Sequence, residues 1–168
     1  SKPAGVAMRS LVGSTPALFR QSTADMSRQQ YRGAIPVGLL YDPEYDMWVR
    51  VAGDDVLIGA TSFGIFLAGG IIGFTAKPKG AEVALGRGLG TVECAKTVLA
   101  VHAPISFVLL EANEAAEERP AMLNRDPYEA GWMVRGRPLA WEAERGRLVD
   151  AAAYRAHIRR IEPTAEFE

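Results

Sequence analysis

Cysteine is almost missing from this chain: Cys94 is the only one in 168 residues. That excludes an internal disulfide and a thiolate cage for zinc, and it fits a reducing compartment, the cytosol or the mitochondrial matrix. An excess of one charge is also missing. Lys and Arg number 19 against 20 Asp and Glu, so no global positive field draws in a phosphate backbone, and nucleic acid is not an expected partner. No apolar run approaches the roughly 20 residues that span a bilayer. The most apolar stretch, Phe63 to Phe74, is interrupted by Gly64, Gly69, Gly70 and Gly73 and reads as a core segment, so no membrane is expected. Histidine is scarce too. His102 and His157 are candidates for a base beside Cys94, but the sequence offers no third group to orient either of them; a strand position and a helix face account for them. No repeat of 20 to 50 residues and no low-complexity run occurs in the part expected to fold.

What is present is enough apolar material for one core. Hydrophobic residues make up 48% of the chain and charged residues 23%, which excludes a wholly disordered polymer and suits a single domain. Residues 1–32 differ in kind, with Lys2, Arg9, Arg20, Arg28 and Arg32 against Asp25 alone. They read as a disordered leader, a tag or a targeting segment. The folded domain is expected over 33–162, with 163–168 as a tail. The implied compartment is the cytosol, or the mitochondrial matrix if the basic leader is a transit peptide.

From Ile35 onward, short apolar runs alternate with Gly, Pro and Asp, the texture of a sheet protein with tight turns. Strands are expected at Met47 to Val51, Val56 to Ala60, Ile71 to Ala76, Gly90 to Cys94, Thr97 to His102, Ile105 to Ala112 and around Trp132 to Val134. Asp54-Asp55 and Pro78-Lys79-Gly80 supply turns. Thr61 or Ser62 is placed to cap a short helix through Leu67, Asn113 to cap Glu114 to Glu118, and Asp150 to cap Ala151 to Arg160.

The segment Glu93-Cys94-Ala95-Lys96-Thr97-Val98 sets a lysine among small and β-branched residues between two apolar strands. Such a lysine sits naturally at a hairpin tip, which is the geometry a swinging arm needs, because a tethered cofactor then does the chemistry and the protein presents it. By spacing alone, a lysine in a turn is far more often a solvated surface residue than a modification site. Cys94 reads either as a redox thiol beside Lys96 or as a small packing residue. Gly86, Gly88 and Gly90 lack the third glycine and the following helix of a phosphate loop, so they read as turn chemistry. Glu114, Glu117 and Glu118 read as the solvated first turns of a helix.

A wider pattern surrounds the lysine. Glu93 and Lys96 are followed by Pro104, Asn113-Glu114, Leu123-Asn124, Asp126-Pro127-Tyr128 and Gly131-Trp132, and preceded by Gly59-Ala60-Thr61, Phe63, Gly69, Ile71 and Gly80. This ordered set, spanning roughly Tyr41 to Ile158, resembles the glycine cleavage H proteins. The resemblance implies a mainly β barrel-sandwich hybrid of two small antiparallel sheets with short peripheral and C-terminal helices. It further implies lipoate attached covalently to Lys96, with Glu93 helping a lipoate ligase or lipoyl transferase to read the hairpin or else making a structural turn contact. No catalytic residue and no metal are implied: the chain is a carrier, not an enzyme. Its implied partners are a pyridoxal-phosphate glycine decarboxylase, an aminomethyltransferase and a dihydrolipoamide dehydrogenase. Ala95 and Thr97 flank the lysine where 2-oxoacid dehydrogenase lipoyl domains and biotinyl domains carry other residues.

The chain departs from the family in places. Tyr45-Asp46-Met47-Trp48 replaces a histidine-containing H-E-W run, Ile65, Phe66 and Leu67 replace polar residues, and Gly70 replaces an acid. These changes leave open a different partner, a self-association face or burial under the N-terminal segment. Asp46-Met47-Trp48-Val49-Arg50 also resembles H-like lipoate-binding proteins of sulfur oxidation. The remaining alternatives are an unlipoylated binding or regulatory module and a thiol enzyme using Cys94.

Overall fold

The computed structural model describes residues 29–168; most of the segment read as a leader lies outside them. In chain order the elements begin with β1 (Arg32–Gly33), β2 (Leu40–Asp42), β3 (Met47–Ala52), β4 (Asp55–Ala60), α1 (Ser62–Ala68), β5 (Gly73–Ala76) and β6 (Glu82–Val83). There follow β7 (Gly88–Glu93), β8 (Val98–His102), β9 (Phe107–Ala112), α2 (Glu114–Glu118) and α3 (Ala121–Arg125). The chain closes with β10 (Val134–Pro138), α4 (Trp141–Glu144), a single 3₁₀ turn at Arg145–Arg147, α5 (Ala151–Ile161) and β11 (Glu166–Phe167).

Two antiparallel sheets carry the fold. One runs β2-β3-β4-β10-β9-β6 and the other β5-β7-β8. Period-two alternation aims Met47, Val49, Val56, Ile58, Phe107 and Leu109 of the first sheet at Phe74, Leu89, Val92, Leu99 and Val101 of the second, in one shared core. Within β7 both Leu89 and Val92 face inward although three positions apart. A bulge makes this possible: the register slips between Gly88 and Gly90, and the extra residue reverses which side of the strand points in. Gly90 is required there, since a Cβ would stand 2.4 Å from the Thr75 carbonyl oxygen. The G-x-G-x-G string is thus bulge and turn geometry, with Gly86 in the left-handed region at φ 84°.

The expected helix caps are present. Thr61 Oγ1 accepts from Gly64 N at 3.0 Å, Asn113 Oδ1 from Ala116 N at 3.4 Å and Asp150 Oδ1 from Ala153 N at 2.9 Å. The strand expected at Trp132 to Val134 starts only at Val134 and runs to Pro138. Gly136 and Pro138 argue against a strand by propensity, but a Cβ at Gly136 would meet the Phe107 ring at 2.3 Å; close sheet packing demands glycine there. Strand β2 and helices α3 and α4 were not anticipated, each being five residues or fewer.

A second core lies on the far side of β2 and β3. Trp48 and Tyr41 point away from the first core into a cluster with Tyr31, Ile35, Phe63, Tyr128, Tyr154 and Ile158. Two segments that the sequence placed outside the domain close it. Arg32–Gly33 pairs in parallel with Glu166–Phe167, Tyr31 is 2% exposed and Ala165 3%, and Gln30 donates to the Thr164 carbonyl. The domain limits of 33 and 162 therefore cut through a clasp built from both flanking segments. Polar composition concealed it, because among the described residues its apolar contacts come from a few scattered side chains, Tyr31, Ala34, Ile35, Ala165 and Phe167. The clasp covers part of the apolar α1: Tyr31 meets Phe63 and Phe66 edge-on at 5.2 and 5.4 Å, Phe66 and Leu67 are half-buried against this second core, and Ile65 packs into the first core instead.

Candidate functional site

Lys96 sits at the corner of the β7–β8 hairpin. Glu93 pairs with Val98 as the last strand pair, and Cys94 and Thr97 then exchange both backbone hydrogen bonds, N–H to O, at 2.8 and 3.4 Å. Ala95 and Lys96 alone make the turn, the two-residue loop that a twisted antiparallel pair favours. Both are exposed, and among the described residues nothing pairs with the Lys96 ammonium. Attaching an acyl group there would break no ion pair among the described residues.

The neighbours of the turn divide sharply. Cys94 is 5% exposed and packs in the first core; burial, with the nearby Glu93 charge, pushes its thiol pKa up. A reactive thiol needs the opposite environment, so the packing reading of Cys94 is the one its surroundings favour. Glu93 points outward and folds over Gly73: a Cβ on Gly73 would stand 3.0 Å from its Oε1 and 3.1 Å from its Cβ. Its side chain is exposed beside the turn.

A short scaffold braces the base of the hairpin. Ile72 N donates to the Glu93 carbonyl at 2.8 Å. The preceding Ile71 is gripped by Asn124, whose Oδ1 accepts from Ile71 N at 2.9 Å while Nδ2 donates to Ile71 O at 2.8 Å. The side-chain amide thus imitates a strand neighbour, linking α3 to the loop beside the hairpin. The sequence reading placed Asn124 in a motif and assigned it no role; its only signal was an amide residue preceding Asp126-Pro127-Tyr128. Gly70 lies in this loop at φ 97°, and Ile72 stands 60% exposed near it.

The altered first-strand segment is used for architecture. Asp46, at φ 57°, is fully buried and accepts from Tyr154 Oη at 2.8 Å, while Tyr154 Oη lies 2.7 Å from Thr61 Oγ1. Asp42, also 0% exposed, accepts from Glu44 N at 2.9 Å and from Arg147 Nη1 at 2.9 Å. Burial pushes the Asp42 carboxyl pKa up, and the Arg147 charge opposes that. Trp48 Nε1 donates to Pro127 O at 3.0 Å and Arg50 Nη2 to Tyr128 O at 2.7 Å. The D-x-W-V-R run therefore anchors the Asp126-Pro127-Tyr128 loop.

The remaining candidates are dispersed. His102 ends β8, the strand end opposite the turn; it is 2% exposed, with Nδ1 2.9 Å from the Gly86 carbonyl oxygen. His157 lies on α5, so neither histidine is assembled with Cys94. Of the three glutamates read as solvated, Glu117 is half-buried and accepts from Ala76 N at 2.9 Å, capping the outer edge of β5. A groove of about 800 Å³ opens beside it, lined by Ala76, Lys77, Pro78, Asn113 and Trp132 among others. It lies at the end of β5 remote from the hairpin, since Ala76 pairs with Gly90 and Gly73 with Glu93. No helix among the described residues is long and apolar enough to cross a membrane.

Comparison with known proteins matches this arrangement to one family. The family model described as glycine cleavage H-protein matches residues 39–161. The glycine cleavage system H protein of Bacteroides thetaiotaomicron is 36% identical over 123 residues, 73% of this chain and 96% of that protein. That of Synechococcus elongatus is 37% identical over 123 residues, covering 73% and 94%. A crystal structure of a glycine cleavage system H protein from Mycobacterium marinum superimposes with a TM-score of 0.65 at 31% identity, covering 73% of this chain and 98% of its own. With its exposed hairpin lysine, its two-sheet scaffold and these relatives, the chain belongs to the glycine cleavage H-protein family.

Proposed function

We propose that this protein is a lipoyl carrier of glycine cleavage, with lipoate joined through an amide to Lys96 Nζ. The observation that carries the reading is the position of Lys96: exposed and without an ion-pair partner among the described residues, at a two-residue turn between paired strands. An amide there leaves the fold untouched and removes the lysine charge. When bound, the lipoyl group supplies the disulfide that takes up a one-carbon fragment from glycine. The chain contributes presentation. β7 and β8 hold the attachment point, Asn124 and Ile72 brace the base of the turn, and Glu93 offers an exposed carboxylate to the enzyme that attaches lipoate. Tethering keeps the cargo at high effective concentration for successive partners, here a pyridoxal-phosphate glycine decarboxylase, an aminomethyltransferase and a dihydrolipoamide dehydrogenase. The chain itself is a carrier component and not a catalyst.

A second reading, sulfur oxidation, rested on Asp46-Met47-Trp48-Val49-Arg50. The buried bonds of Asp46, Trp48 and Arg50 give that run a packing role, and the relatives named above are glycine cleavage proteins, so glycine cleavage is preferred. The test is peptide mass spectrometry after incubation with a lipoate ligase, ATP and lipoate, followed by glycine–bicarbonate exchange with the three partner enzymes. A lipoyl increment on Lys96 and exchange activity, both lost in Lys96→Arg, are the expected results. An unmodified Lys96 in the presence of active ligase overturns the reading; modification without exchange overturns its glycine cleavage part.

A further inference from the structure

The three-stranded sheet ends on β8, which begins two residues after Lys96. In an antiparallel ladder, residues alternate between pairs that exchange both backbone bonds and pairs whose amides and carbonyls point away from the partner. Cys94 and Thr97 form an exchanging pair, and so, two steps on, do Val92 with Leu99 and Gly90 with Val101. The amides and carbonyls of Val98 and Ala100 consequently face away from β7. Among the described residues no backbone group meets them; the one contact is the Thr97 hydroxyl, 3.5 Å from the Val98 carbonyl oxygen. Val98 is 63% exposed and Ala100 half-buried.

The opposite edge of the same sheet is treated differently. On β5 the Ala76 amide is taken by Glu117 of α2, and Ile71, just before the strand, is taken by Asn124. Side chains from α2 and α3 thus take part of one edge, while among the described residues none from another element reaches the other. An open edge is a hazard that proteins ordinarily blunt with lysine, proline or a covering element, yet β8, Val98-Leu99-Ala100-Val101-His102, has neither lysine nor proline. The open groups lie within four residues of the lysine that an acylating enzyme must approach.

We infer that the free edge of β8 is a strand-addition site for the enzyme that attaches lipoate: an extended segment of that enzyme pairs with Val98 and Ala100, adding a fourth strand and fixing Lys96 at its active centre. Backbone pairing supplies affinity and register, and Glu93, Val98 and the exposed Ile72 lie around the turn to supply side-chain contacts. The inference rests on the lipoyl reading of Lys96.

The decisive variant is Ala100→Pro. Proline removes one outward-facing donor and sets its ring where the added strand would lie, while an edge position tolerates it because no bond to β7 is lost. Ala100→Val keeps the donor and serves as the side-chain control. With a lipoate ligase, ATP and lipoate, kcat/KM for modification of Lys96 is expected to fall at least about tenfold in Ala100→Pro and to stay within about twofold in Ala100→Val. Equal rates in the wild type and Ala100→Pro overturn the inference, as does an equal fall in both variants. Failure of the wild type to be modified at all strikes instead at the lipoyl reading. Hydrogen exchange on the unmutated protein gives a second measurement. The Val98 and Ala100 amides should exchange fast in the free protein and slow on addition of ligase loaded with a stable lipoyl-adenylate analogue, while Leu99 and Val101 stay slow in both. Unchanged exchange at Val98 and Ala100 in the complex overturns the inference, and so does slowing that rises with carrier concentration without ligase, which would assign the edge to a second copy.

Discussion

Removing the Tyr31 ring tests whether the terminal clasp is part of the folded domain. Tyr31 is 2% exposed, with its ring against Phe63 at 5.2 Å, Phe66 at 5.4 Å and Phe167 at 6.2 Å, and its hydroxyl 2.6 Å from Ser62 Oγ. Truncating a buried aromatic to alanine costs about 3–5 kcal/mol through lost transfer energy and the cavity left behind. The loss has a ceiling. Once it exceeds the energy that docks the clasp, the segment detaches and the cavity never forms, although the Arg32–Glu166 ion pair and the Arg155 bond to Ile35 O would still hold part of it. Tyr31→Phe keeps the ring and should cost only about 1 kcal/mol for the hydroxyl bond. At roughly 2–4 °C per kcal/mol for a chain of this size, Tyr31→Ala should lower Tm by about 6–20 °C and Tyr31→Phe by a few degrees. Thermal and urea unfolding followed by tryptophan fluorescence report both, because Trp48 lies in the same core. A Tm for Tyr31→Ala within about 1 °C of the wild type would refute the argument, since the segment would then contribute nothing measurable.

Other consequences are open to direct measurement. Arg147→Met leaves the fully buried Asp42 without its cation and should cost about 3–5 kcal/mol in urea unfolding; a cost below about 1 kcal/mol would show that Asp42 is held adequately by its backbone donors alone. His102 is buried and its pKa lies below 6.5 because burial disfavours the cation. The unfolded chain therefore takes up the proton first, and stability falls as pH drops below 6.5. His102→Asn, which retains a donor for Gly86 O, should flatten that slope, and an unchanged slope would assign it to other groups. Cys94, with its thiol buried and its pKa raised, should react with iodoacetamide at pH 8 at least about tenfold more slowly in the native protein than in guanidinium; equal rates would reopen the redox reading. Gly59→Ala places a Cβ 2.6 Å from the buried Trp48 ring and should destabilise by about 1–3 kcal/mol through overpacking, a prediction that fails if the two proteins melt together.

Local chemistry made much of this protein readable in advance. Met47 to Val51 and Val56 to Ala60 are apolar runs bounded by turn residues, and Thr61, Asn113 and Asp150 cap helices because an oxygen on a short side chain can reach the free amides of its own first turn wherever the rest of the protein lies. The turn at Lys96 was legible for the same reason: small residues between two β-branched runs. What escaped were elements too short to have a period of their own. Leu40–Asp42, Arg32–Gly33 and Glu166–Phe167 are strands only because a neighbour pairs with them.

The same division runs through the site. Sequence by itself determined a lysine between two strands and the ordered motif set, and the two-sheet scaffold came with the family that this set resembles. Only the tertiary structure decided that Cys94 faces the core, that Asn124 grips Ile71 across 53 positions of chain, that Asp46 bonds Tyr154 and that the terminal segments close over α1. Those outcomes depend on which distant segments meet. Hydrophobic burial and backbone pairing over long loops settle that together, and no window of neighbouring residues contains the answer.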